Sequence, residues 1–104
     1  MSEALLFRPL HLAEQLTDEL GTSITYAYDD LVFPEHSDVL LQFDGTDSTR
    51  LYLYINGEAG KNEVESLRDR WLQAARTKDI ALHYNGTFAI EQLPGKEEVT
   101  IRFN

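Results

Sequence analysis

Apolar residues follow two different periods along this chain, and each change of period marks an element. Leu12, Ala13, Leu16 and Leu20 recur every three to four positions, which predicts a helix over residues 9–20. Pro9 suits a first helical turn, where its missing N–H is not needed, and Gly21 suits the position just past the end. The period then shortens to two. Ile24, Tyr26 and Tyr28 alternate with Ser23, Thr25 and Ala27, as in a half-buried strand. Asp29-Asp30 turns the chain into a short piece, residues 31–33, which Pro34 ends or confines to an edge. Residues 39–44 and 50–55 read as a hairpin across the turn-rich Gly45-Thr46-Asp47-Ser48. On its second strand Leu51, Leu53 and Ile55 share one face, with Tyr52 and Tyr54 on the other. Such a strand is central and covered on both faces, or covered on one and docked to a partner on the other.

A second helix is predicted over residues 62–77, because Val64, Leu67, Trp71, Ala74 and Ala75 form one apolar stripe. That stripe puts Leu67 and Trp71 in the core. Asn62 and Glu65 have the spacing of a capping box, with acids early and bases late in the helix, as its dipole favours. After it, residues 80–84, 87–92 and 98–103 read as a three-stranded meander. Its turns are Asn85-Gly86, a strong two-residue hairpin signal, and Pro94-Gly95. The order helix, three or four strands, helix, three strands makes residues 1–104 a single α+β domain. It has two helices and a mostly antiparallel sheet of five to seven strands.

Composition narrows the function classes. Hydrophobic residues are 42% and charged ones 26% of the 104, too apolar a chain to stay disordered. There are no cysteines, which removes disulfides, thiolate metal sites and thiol catalysis and fits a reducing, cytoplasmic setting. The apolar run at residues 5–7 is too short for a signal peptide or a membrane span. The net charge is −9. Direct contact with nucleic acid or an anionic membrane is thereby disfavoured, since like charges repel. The excess is also one-sided. Residues 1–60 hold eleven acids and two bases, whereas residues 61–104 hold seven of each. This asymmetry is either a solubility device or a recognition face for a basic partner.

Catalytic and ligand motifs are scarce. No serine sits in a nucleophile elbow, and the three histidines, His11, His36 and His83, fall on different elements. His11 and His83 read as surface or half-buried residues. The densest polar cluster is Asp29, Asp30, Glu35, His36 and Asp38, whose carboxylates and imidazole suit a divalent cation in type but match no metal motif in spacing. Turn capping is the simpler use of those aspartates. Gly57-Glu58-Ala59-Gly60-Lys61 lacks the spacing and the hydroxyl of a phosphate loop, so no cofactor is called for. On the second helix Arg68, Arg70, Arg76 and Lys78 are interleaved with Glu63, Glu65 and Asp69, the pattern of a solvated face.

The order and patterning of the elements resemble the class I type III secretion chaperones, small acidic proteins without catalytic activity. The matching stretches are His11-Leu12-Ala13-Glu14 through Leu20-Gly21, residues 39–44 and 50–55, and residues 64–75, with residues 81–103 similar to the later strands. The chain differs in stopping at Phe103-Asn104 without a final helix. The resemblance implies a homodimer that holds an extended segment of a secreted protein against apolar strand and helix surface.

Taken together, the residues point to a non-catalytic binding protein, chaperone-like or an inhibitor that mimics DNA. It would engage a basic or extended protein through Asp29, Asp30, Glu35, Asp38, Tyr52 and Tyr54. The competing readings are a small enzyme or metal-binding protein using His36 with the surrounding acids, and a structural subunit whose acidity serves solubility alone.

Overall fold

The computed structural model describes residues 10–28, 30–35, 38–47, 49–92, 95 and 99–103. Within them the order is helix α1 (Leu10–Glu19), strands β1 (Ile24–Tyr28), β2 (Leu31–Pro34), β3 (Val39–Phe43) and β4 (Arg50–Asn56), a 3-10 turn (Gly57–Ala59), helix α2 (Lys61–Thr77), then β5 (Ala81–Gln92) and β6 (Val99–Phe103). The six strands form one sheet in the order β1-β2-β3-β4-β5-β6, so strand order in space is strand order in the chain. Every neighbouring pair is antiparallel except β4 and β5, which run parallel because α2 carries the chain back between them. The fold is α+β, with two helices and a mostly antiparallel sheet, as the sequence predicts.

Both helices end as their sequences allow. Gly21, at φ 73°, follows α1 while Thr22 N–H reaches Thr17 O at 2.8 Å and Gly21 N–H reaches Asp18 O at 3.1 Å, the paired bonds of a Schellman motif. The end of α2 repeats this with Asp79, at φ 58°, in the glycine's place: Ile80 N–H bonds Ala75 O and Asp79 N–H bonds Arg76 O. The start of α2 differs from the expected capping box. Gly60 is the N-cap, no side chain caps it, and Asn62 is already the second residue of the helix. The asparagine that caps is Asn56, whose side chain accepts from Glu58 N–H at 2.9 Å to hold the 3-10 turn.

The larger correction concerns the last third. Asn85-Gly86 does not turn the chain. Residues 81–92 form one strand, and the expected three-stranded meander is two strands. The register to β4 shows why: Leu53 opposes Tyr84 and Tyr54 opposes Gly86, leaving Asn85 as an extra residue, a β-bulge. Gly86 takes φ 131°, the positive φ that a hairpin would also have asked of it. The extra residue reverses the alternation of side chains. Leu82 and Tyr84 lie on the helix side with the main core, whereas Phe88 belongs to the opposite face. The second expected turn, at Pro94-Gly95, lies mostly outside the described residues, although Gly95 has the φ of 75° that a type II turn needs.

The sheet thus has two unlike faces. On one, Val32, Val39, Leu41, Phe43, Leu51, Leu53 and Ile55 pack under Ala13 and Leu16 of α1 and under Trp71, Ala74 and Ala75 of α2. Trp71 is buried as expected, and Leu67 packs against this core half-buried. On the other face Leu40, Tyr54 and Phe88 form a smaller cluster with Leu31, Phe33, Tyr52 and Ile101 around it. No residue of α1 or α2 joins that second cluster.

Candidate functional site

The second face carries an ordered polar system along with its aromatics. Leu40 opposes Tyr54 and Gln42 opposes Tyr52 across the β3–β4 pair, so all four side chains share a face. Both tyrosines lean diagonally towards the β3–β4 turn. Tyr54 Oη donates to Gln42 Oε1 at 3.0 Å, and Tyr52 Oη donates to Asp44 Oδ2 at 2.7 Å. Gln42 Nε2 in turn donates to Asp30 Oδ2 at 2.9 Å, and Asn85 Nδ2 donates to the Tyr54 hydroxyl at 2.8 Å. A row Asp30–Gln42–Tyr54–Asn85 therefore runs from the β1–β2 turn to the bulge in β5. Each hydroxyl and amide in it has a partner, which fixes the tyrosine rings in place.

Asp44 anchors one end of this face. Its Oδ1 accepts from Thr46 N–H at 2.7 Å, Thr46 Oγ1 at 2.8 Å and Asp47 N–H at 3.1 Å. Its side chain is only 8% exposed, yet Arg50 Nη1 is no closer than 3.8 Å. Hydrogen bonds from the Thr46 backbone, from the Tyr52 hydroxyl and from the Thr46 hydroxyl hold the carboxyl down at a pKa of about 2. Asp47 is lowered as well, chiefly by the Thr49 side chain and backbone. Both aspartates act here as turn caps, the use the sequence suggests for residues of this type in a turn.

The residues singled out from sequence are divided by the structure. Tyr52, Tyr54 and Asp30 come together on the second face through Gln42. Glu35 and Asp38 do not join them. Asp30 precedes β2 and Glu35 follows it, so a four-residue strand of roughly 13 Å stands between them. Glu35 and Asp38 instead line a shallow hollow of about 140 Å³ with Leu20, Thr22, Val39, Arg70 and Trp71. Asp29 and His36 lie outside the described residues. Among the described residues no three of His, Asp and Glu stand close enough to hold a metal ion. His83 is exposed on the second face, with its ring edge-on to Tyr52 at 6.2 Å.

Two residues of the row, Gln42 and Asn85, carried no functional signal in the sequence. Gln42 was legible in principle, since the β3–β4 register puts it beside Tyr52. Asn85 was not, because its role follows from the bulge. No known family model, curated protein or solved structure matches the chain.

Proposed function

We propose that this chain is a non-catalytic protein-binding module that meets a positively charged segment of its partner with the second sheet face. One observation carries the reading: half-buried aromatic and aliphatic side chains stand beside carboxylates held in place on the same face. Leu31, Phe33, Tyr52 and Ile101 supply apolar contact, while Asp30 and Asp44 are fixed by Gln42 and Tyr52 at its border. Aromatic surface gives affinity, and prearranged acids give orientation and association rate to a basic partner. Strand order supports the same direction. The first sixty residues hold all of the net charge of −9 and build β1 to β4, so the acidic half of the sequence is also one side of the sheet. Chaperone-like holding of an extended segment and inhibition of a basic protein are two forms of this one activity.

The test is anisotropy titration of the full chain with a labelled peptide of alternating lysine and leucine, against the same peptide with glutamate for lysine. The lysine peptide should bind, and binding should weaken at least about tenfold when the Debye length is cut from about 10 Å to about 3 Å. Asp30→Asn should weaken it further, with Arg68→Gln as the control that leaves it unchanged. Equal binding of both peptides, or indifference to salt, would overturn the reading.

A further inference from the structure

We propose that two copies of this chain associate through β6, the two edge strands pairing antiparallel about a two-fold axis so that both sheets continue into one. The inference is independent of the partner reading above and rests on how the two edges of the sheet differ. β6 pairs with β5 in an unbroken five-residue register, from Phe88 opposite Phe103 to Gln92 opposite Val99. On its other side no described strand pairs with it. A regular edge of this kind presents a row of N–H and C=O groups to whatever strand approaches. At the opposite edge the register of β1 shifts between Ile24 and Tyr26, and an irregularity there blunts strand addition.

The side chains agree. Among the described residues the exposed large hydrophobics are Leu10, Ile90 and Phe103, the last two 39% and 42% exposed. Ile90 lies directly opposite Ile101 at the β5–β6 pair, and Phe103 is on the same face, its ring 4.4 Å from that of Tyr54. This apolar border is continuous with the second face and stops where the sheet stops. A matching border from another copy would extend it.

Charge decides in favour of a second copy over a foreign strand. Two molecules of net charge −9 repel, so a self-contact is tolerable only where the charge is absent. The β6 edge meets that condition, because residues 61–104 are balanced and Arg102 is paired with Glu91 at 2.8 Å. With strands about 4.8 Å apart, pairing at β6 keeps the two β3 strands roughly 34 Å from each other. That is about four Debye lengths at physiological salt. A basic strand from elsewhere would instead be drawn to the acidic side. The register that pairs all five residues of β6 sets Ile101 opposite its own copy. The contact is one strand pair, below the size of a permanent interface, so the dimer should dissociate in the micromolar range.

The test uses the full chain. Sedimentation equilibrium from about 1 μM to on the order of 100 μM should show the mass rising to that of a dimer. Raising the salt from about 0.01 M, where the Debye length is about 30 Å, to about 0.15 M should strengthen the association, the reverse of its effect on a basic partner. Because the chain has no cysteine, Ile101→Cys creates a single thiol. Directly opposed residues on antiparallel strands have their Cα atoms about 4.5–5.5 Å apart, within disulfide reach. Mild oxidation should therefore link Ile101→Cys into a dimer much faster than Ser66→Cys, a control on the exposed part of α2. Ile101→Lys should dissociate the dimer, with circular dichroism confirming that the fold is kept. A monomer throughout the concentration range, equal cross-linking of the two thiols, or a folded Ile101→Lys variant that dimerises as before would overturn the proposal.

Discussion

At the residue scale the most informative side chain is Asp44, which caps a turn through one oxygen and holds Tyr52 through the other. Its carboxyl titrates near 2, below the ordinary value of 3.8 that it regains in the unfolded chain. Folding therefore favours the charged form. The contribution is complete above about pH 4 and is lost as pH falls through about 2. Urea midpoints measured down this range should fall with acid in the native chain, and Asp44→Asn should flatten that part of the profile. An unaltered slope in the variant would mean that other carboxylates carry the acid sensitivity. The turn itself was readable in the sequence, because aspartate, glycine and threonine in that order leave little else for the chain to do. The row from Asp30 to Asn85 was not. Adjacency in sequence brought Asp29, Asp30, Glu35 and Asp38 together as a cluster, whereas β2 holds Asp30 and Glu35 apart and a diagonal reach across strands gives Asp30 its partner.

At the scale of elements, periodicity located the strand residues of the last third apart from Asn85 and Gly86, yet missed how the pieces connect. Asn85-Gly86 signals a glycine with positive φ, and that signal is correct. A type I′ turn and a β-bulge both satisfy it, and nothing local separates them. The deciding partner is β4, about thirty residues earlier, which offers a parallel edge to the whole of β5. The helix ends show the same limit. Gly60 caps α2, although Asn62 and Glu65 have the spacing of a box, because the strand-to-helix loop enters two residues sooner. The bulge makes a firm prediction. Gly86→Ala must place a Cβ at φ 131° and should cost about 1–2 kcal/mol in urea denaturation. Asn85→Ala removes only its bond to Tyr54 and should cost about 1 kcal/mol. A neutral Gly86→Ala would show that the strand does not hold that residue at positive φ.

At the scale of the molecule, a slab measuring 40 × 40 × 22 Å carries its helices on one face and its charge towards one side. The two proposals share Ile101 and otherwise use different parts of that slab, the second face with its acidic border for a foreign partner and the neutral edge for a second copy. Their opposite responses to salt allow one titration series to tell them apart.

Strand order identical to chain order also bears on how the molecule comes into being. A ribosome releases β1 through β4 in the sequence in which they lie side by side, so each strand emerges beside a neighbour already made. The exception is β5, which must wait for the seventeen residues of α2 before it can close on β4. That closure spans the longest loop between neighbouring strands of the sheet, and longer loops cost more entropy to close. Refolding should accordingly slow when the β4–β5 seam is weakened by Leu82→Ala. Weakening the β1–β2 hairpin with Thr25→Gly should mainly speed unfolding. Stopped-flow rates for the two variants decide it, and a Thr25→Gly chain that refolds more slowly than Leu82→Ala would reverse the assigned order.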